Sequence, residues 1–188
     1  SVAENDVTIL TIFVNPAQFA PHEDFDRYPR TWEADCAMAT SIGVDAVYAP
    51  DTRNMYPAGY STYVDVENIK EGLCGGSRPH FFRGVATVVT KLFHATDPDG
   101  ASFGQKDGQQ ATIIRRMARD LDFGIEIRVM PIVREADGLA LSSRNAYLGT
   151  EDRQNALAIS RSLFAAKELM EQGETDARTV INAGRDGM

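Results

Sequence analysis

Three short stretches of this sequence gather polar side chains of the kinds that bind and activate small molecules. The first is Asn15-Pro16-Ala17-Gln18-Phe19. Its two amides can hold a hydroxyl or a carboxylate, with Phe19 as an apolar wall. A proline turn with solvated amides accounts for the same residues. The second is Gly104-Gln105-Lys106-Asp107-Gly108-Gln109-Gln110. Glycine there lets a ligand approach the backbone, Lys106 brings positive charge, and the start of a following helix adds donors and a dipole favourable to phosphate. Asp107 reads as the N-cap of that helix rather than as a metal ligand. Gln110 lies one turn before Ile114 and is expected to face inward, where a solvated glutamine has no reason to be. The third is Asp137-Gly138-Leu139-Ala140-Leu141-Ser142-Ser143-Arg144-Asn145. Two hydroxyls followed by arginine can clamp a polyphosphate, and the glycine lets the loop move. A capped interdomain turn is the plainer alternative.

Other chemistries lack their residues. His22, His80 and His94 share no metal-ligand spacing. There is no Gly-x-Ser-x-Gly elbow, and the glycine-rich Gly72-to-Arg78 stretch lacks the Gly-Lys-Ser/Thr ending of a P-loop. Cys36 and Cys74 stand far apart and outside any C-x-x-C pattern, which excludes a disulfide scaffold or zinc ribbon and favours a reducing compartment.

These stretches must be carried by alternating strands and helices. The run Thr8-to-Val14 is apolar and β-branched without alternation, which predicts a strand buried on both faces. Thr31 is expected to cap a helix with Glu33 and Asp35 in its first turn. Asp45-to-Pro50 reads as a second strand, and Thr62-to-Val66 as a strand-like piece. Val85, Val88, Val89, Leu92 and Phe93 mark one face of a helix. Ala101-Ser102-Phe103 is a weak strand. A helix follows with Ile114, Met117, Ala118 and Leu121 inward and Arg115, Arg116 and Arg119 outward. Ile125, Ile127 and Val129 alternate as another strand. Thr150 is expected to cap a long helix to about Gln172, with Ile159, Leu163, Ala166 and Met170 on its seam and Gly173 ending it. Asp176-to-Asn182 reads as helical, and the chain from Ala183 as a trailing end.

The order predicts an α/β domain with a mainly parallel sheet, whose ligands bind beyond the carboxyl ends of the strands, where the first two polar stretches lie. The segment from Arg134 to Gly149 is irregular and is followed only by helices. The expected division is therefore residues 1–133 and residues 134–188.

Composition sets the class. Of 188 residues, 43% are hydrophobic and 24% charged, which suits a globular chain and not a disordered one. A net charge of −8 argues against a nucleic-acid or anionic-membrane surface, although a local pocket can still be basic. No apolar stretch approaches the roughly 18 residues of a membrane helix. From the residues alone, the expectation is a soluble intracellular, phosphate-handling α/β enzyme, with its reaction unread.

Longer strings narrow this. Ile12-to-Phe19, Arg27-Tyr28-Pro29-Arg30-Thr31, Phe82-Arg83-Gly84-Val85, Phe103-Gly104-Gln105-Lys106-Asp107 and Asp137-to-Asn145 resemble the pantothenate synthetase (pantoate–β-alanine ligase) family, in that family's order and spacing. The resemblance covers about Val7 to Leu148. It implies a Rossmann-like domain of the nucleotidyl-transferase and class I aminoacyl-tRNA synthetase type, with the start of a smaller C-terminal lid domain from Thr150. It also implies a cytoplasmic homodimer that uses ATP and Mg²⁺ to adenylate pantoate. β-Alanine would then attack the acyl-adenylate to give pantothenate and AMP.

Position by position, the resemblance implies that Gln18 binds pantoate near the β-alanine site, with Asn15 lining the pocket and Gln110 holding pantoate from the other side. Gly104, Gln105, Lys106 and Asp107 match the ATP loop, and Val133 an adenine-proximal position. Leu141, Ser142, Ser143 and Arg144 match the mobile phosphate loop. Lys106 and Arg144 would neutralise the charge developing on pyrophosphate. Metal ligands are not implied.

The chain also departs from the family pattern. No His-x-Gly-His motif occurs, Gln105 stands where the family has glutamate, Gly108 where an aromatic residue is usual, and Phe81 where a histidine is usual. The expectation is a fragment lacking the His-x-Gly-His unit and most of the C-terminal domain, and nearly inactive by itself. Losing one preorganised transition-state donor costs roughly 10²–10³ in rate. Another adenylate-forming nucleotidyltransferase and a non-catalytic remnant are the alternatives.

Overall fold

Apolar residues at helical spacing from Val85 to Phe93 and from Ile113 to Met117 put two buried helices at the centre of the first part of the chain. The computed structural model describes residues 2–186. The chain divides into two units, Ser1–Pro131 and Ile132–Met188.

In the first unit β1 (Ile9–Thr11) runs parallel to β2 (Ala46–Tyr48), with Leu10 opposite Val47; the crossover between them holds α1 (Trp32–Ser41). The short helices α2 (Thr52–Met55) and α3 (Cys74–Ser77) follow, then α4 (Phe81–Thr96). The strands β3 (Gly100–Gly104) and β4 (Glu126–Met130) also pair in parallel, joined by α5 (Gly108–Asp120). Parallel pairing holds as expected, in two separate two-stranded ladders among the described residues.

The core is the contact of α4 with α5. Val85, Ala86, Ile113, Ile114 and Met117 are fully or almost fully buried there. Asp97 ends α4 by taking a left-handed conformation, from which its N–H reaches the Phe93 carbonyl at 2.8 Å. Phe93 meets Phe103 and Phe123 edge-on, which ties α4 to β3 and to the turn after α5.

Several sequence expectations are corrected. The strand over Thr8–Val14 is only Ile9–Thr11, and Ile9 and Leu10 are 41% and 36% exposed. An unalternating apolar run shows that a strand suits burial, but the covering layer must come from elsewhere, and β2 is its one strand neighbour among the described residues. Thr62–Val66 forms no strand. The Thr87 hydroxyl on α4 accepts from the Val64 N–H and donates to its carbonyl, so a side chain replaces the ladder. Leu121 is exposed because it falls at the C-cap of α5, and Ile113 takes the buried position instead. Thr31 and Asp107 occupy N-cap positions without side-chain cap bonds; the Thr31 hydroxyl donates to Asp35 instead.

The second unit is a hairpin-like loop followed by α6 (Thr150–Glu171) and α7 (Ala177–Asp186). Gly149, not Thr150, is the N-cap of α6. Gly173 ends the helix at a positive φ of 96°, with its N–H bonded to the Met170 carbonyl. Asp176 caps α7 by accepting from the Thr179 N–H and hydroxyl, and the helix continues past Ala183, where a trailing end was expected.

The expected seam of α6 is also corrected. Ile159, Leu163 and Met170 are exposed, while Leu157, Ser160 and Ser162 are buried. α7 approaches along the small residues: a Cβ on Gly184 would lie 3.8 Å from the Ser162 carbonyl oxygen. Close helix approach requires small side chains at the contact, so the large apolar ones are left on another face. Among the described residues no helix is long and apolar enough to cross a membrane.

Candidate functional site

The first polar stretch leaves the carboxyl end of β1 and folds into a 3₁₀ turn, Pro16–Gln18, with Asn15 as its N-cap. Proline at the first helical position fits this turn, because its missing N–H would have no partner there. Asn15 is 3% exposed and fully hydrogen-bonded. Its Oδ1 accepts from the Ala17 N–H at 3.2 Å and from the Tyr56 hydroxyl at 2.8 Å. Its Nδ2 donates to the Gly84 carbonyl at 3.1 Å and to Gln18 Oε1 at 2.8 Å. The amides are therefore neither solvated nor both open to a ligand: Asn15 is committed to the protein, and Gln18 stands beside it, half-buried.

Around this pair the chain is tightly located. A Cβ on Gly84 would lie 2.4 Å from the Ala17 carbonyl oxygen, so α4 presses directly on the turn. Arg78 donates to the Gln18 carbonyl at 3.0 Å and makes a two-pronged contact with Glu23 at 2.7 and 2.6 Å. That guanidinium holds the Glu23 carboxyl below its usual range and also lies 3.9 Å over the Phe81 ring. Burial, reinforced by Tyr60, pushes the Tyr56 hydroxyl up to about 12.

The second stretch leaves the carboxyl end of β3. Gly104 is the last residue of the strand, Gln105–Asp107 forms a 3₁₀ turn, and α5 begins at Gly108. Lys106 and Asp107 are exposed, with Nζ and Oδ1 3.6 Å apart. Gln105 is exposed as well. A cation beside unpaired N–H groups at a helix start is suited to a phosphate. Gln110 is half-buried in the first turn of α5, with no side-chain hydrogen bond among the described residues and none joining it to Gln18. Its neighbour Gln109, not singled out in the sequence, accepts from the Cys74 N–H and donates to the carbonyls of Ile69 and Gly72. It pins the glycine-rich loop to α5.

The third stretch belongs to the second unit. The chain turns at Gly138, with φ of 96°, so that the Leu141 N–H reaches the Val133 carbonyl at 2.9 Å and Arg134 pairs antiparallel with Ala140. Val133 and Leu141 are 65% and 56% exposed at the open end of this hairpin. Ser142 caps the 3₁₀ turn Ser143–Tyr147, its hydroxyl accepting from the Arg144 N–H. Asn145 Nδ2 donates to Glu135 Oε1 and to the Ala140 carbonyl. Arg153, from α6, clamps Glu135 at 2.7 Å and Asp137 at 2.6 Å. Glu135 is held below its ordinary value first by Arg153 and then by Asn145; Asp137 first by the Leu139 amide and then by Arg153.

Asn15 and Gln18 are thus brought together, as are Lys106 with Asp107 and Ser142 with Arg144. The residues that hold them, namely Tyr56, Gly84, Gln109 and Arg153, were not in the sequence-based set. Only Gly84 carried a signal, as the glycine of the Phe-Arg-Gly-Val string. No group of three or more His, Cys, Asp or Glu side chains able to hold a metal ion occurs among the described residues.

Parallel strands whose carboxyl-end loops carry an amide pair and a Gly-Gln-Lys-Asp turn at a helix start define an α/β protein of the nucleotidyltransferase type. The chain belongs to the pantoate-beta-alanine ligase family, whose model matches residues 1–187. It is 57% identical over 94% of its length to the pantothenate synthetase of Acetivibrio thermocellus, and 59% identical over 96% to that of Moorella thermoacetica. It spans 63% and 64% of those two proteins. The crystal structure of pantothenate synthetase from Thermus thermophilus superposes with a TM-score of 0.95 at 46% identity, covering 98% of this chain and 67% of that one. The enzyme from Francisella tularensis, solved with β,γ-ATP and β-alanine, superposes with a TM-score of 0.82 at 34% identity, covering 98% of this chain and 69% of that one.

Proposed function

We propose that the protein carrying this chain condenses pantoate with β-alanine at the expense of ATP, through a pantoyl-adenylate. Family membership across residues 1–187 is the observation that carries the reading. In the first step a pantoate carboxylate oxygen bonds to the α-phosphorus of ATP as the bond to pyrophosphate breaks. In the second the β-alanine amine attacks the acyl carbon, loses a proton, and AMP leaves with the bonding pair.

Each polar stretch has a part in this reading. Gln18 and Gln110 orient pantoate, and Asn15 supports Gln18 from behind. Gly104, Gln105, Lys106 and Asp107 receive ATP phosphates at the start of α5, where Lys106 offsets charge growing on the leaving pyrophosphate. Val133 lies near the adenine, and Leu141, Ser142, Ser143 and Arg144 close on the phosphates. Positioning is most of the chemistry, because an acyl-adenylate is already activated toward an amine.

The described side chains do not build a metal cage of their own. Mg²⁺ fits as a companion of ATP, whose phosphates supply ligands that the protein does not. Asp107 is the carboxylate available at the loop. The same reading takes a cytoplasmic homodimer as the working form.

The test supplies the complete polypeptide with ATP, pantoate and β-alanine. Pantothenate and AMP should form in equal amounts, and omission of any one substrate should abolish both. AMP formation that ignores pantoate would overturn the reading.

A further inference from the structure

Gln18 has a definite amide polarity, and it is imposed from behind. The Ala17 N–H can only donate and the Gly84 carbonyl can only accept, so Asn15 must turn Oδ1 to the first and Nδ2 to the second. The remaining Nδ2 proton goes to Gln18 at 2.8 Å. Gln18 must therefore offer its oxygen inward. Its Nε2, a donor, has no partner among the described residues. One lone pair of Asn15 Oδ1 is left, and the Tyr56 hydroxyl fills it at 2.8 Å from 41 residues along the chain.

Tyr56 is built to stay in that role. Its ring packs near Phe13, at 6.4 Å between centroids, and edge-on to Tyr60 at 5.1 Å. A tyrosine can donate only while protonated; its ordinary value of about 10 already keeps it so at neutral pH, and burial moves it further from titration.

We infer that Tyr56 is a positioning residue for Gln18: together with the Ala17 N–H and the Gly84 carbonyl, its hydroxyl holds the Asn15 amide in place, and Asn15 in turn makes Gln18 meet the ligand as an N–H donor. The inference rests on the proposed reading of Gln18 as a substrate contact. It deepens that reading by defining what Gln18 selects. The Nε2 donor recognises an acceptor, so the group it holds is a carboxylate, carbonyl or hydroxyl oxygen of a small acid. Tyr56 itself touches no substrate.

The test is Tyr56→Phe in the complete polypeptide, which keeps the ring and removes only the O–H. The KM for pantoate should rise ~3–10-fold, the range expected for one neutral hydrogen bond, with kcat and the KM for ATP within ~2-fold of the parent. The side-chain amide NMR signals of Gln18 should shift and broaden. In a Gln18→Ala background the same change should add nothing, because its effect runs through Gln18.

An unchanged pantoate KM with unchanged Gln18 signals would overturn the inference, as would an undiminished effect of Tyr56→Phe in the Gln18→Ala background. If Gln18→Ala alone leaves the pantoate KM intact, the substrate-contact reading fails. The Gln18 signals in Tyr56→Phe then decide the positioning role by themselves: movement retains it and no movement removes it.

Discussion

The carbonyl oxygen of Ala17 sits where a side chain on Gly84 would begin, 2.4 Å from an ideal Cβ, and the Asn15 amide bonds the Gly84 carbonyl at 3.1 Å. Two sequence strings separated by more than sixty residues are thus one structural unit, with α4 as the floor of the amide turn. Gly84→Ala should therefore destabilise the protein by about 1–3 kcal/mol through overpacking. The usual helix-propensity gain of about 1 kcal/mol from replacing glycine works against this but does not remove the clash with a backbone carbonyl. Urea unfolding measures the difference, and a more stable Gly84→Ala would show that the turn moves freely.

Gln109 makes three hydrogen bonds to the backbone of Ile69, Gly72 and Cys74. Gln109→Ala should loosen that loop without disturbing the α4–α5 core. Limited proteolysis should then cut between Ile69 and Arg78 at least several-fold faster, with global unfolding shifted by no more than ~1–2 kcal/mol.

Arg153 holds the turn that carries Ser142 and Arg144 by bridging Glu135 and Asp137. Arg153→Ala leaves those two carboxylates facing each other without their cation. Hydrogen exchange at the Leu139 and Leu141 amides should accelerate, and the KM for ATP should rise more than the KM for pantoate. Equal rises in both would contradict the proposed role of that turn in holding the ATP phosphates.

Acid should open the same hairpin. Glu135 and Asp137 have lowered native values, so their contribution is fully present above the ordinary carboxylate pKa of ~4 and is lost as pH falls through those lowered values. The Asn145 side-chain NMR signals should stay constant from neutral pH down to the carboxylate range and move only below it. Movement between pH ~6 and ~8 would point to some group other than these carboxylates.

The helices were legible because their apolar spacing is local: α4 and α5 bury the faces that the periodicity marks, Leu121 excepted. The loops were legible as clusters of polar types beyond strand ends. What the sequence could not show is which polar groups are already spent. Asn15 looks like a ligand-binding amide, yet its partners Tyr56 and Gly84 lie 41 and 69 residues away, beyond any local pattern. Ile159, Leu163 and Met170 likewise read as a core seam, because periodicity marks an apolar face without saying which neighbour covers it. In α6 the neighbour α7 lies against the small residues instead.

Pantoate-dependent exchange of labelled pyrophosphate into ATP tests the central claim most directly, because it isolates adenylation from amide formation. The complete polypeptide carrying this sequence should catalyse exchange with pantoate and without β-alanine, and Lys106→Ala should reduce the rate by roughly 10²-fold or more. Exchange that proceeds equally well with unrelated small acids, or that Lys106→Ala leaves unchanged, would contradict it.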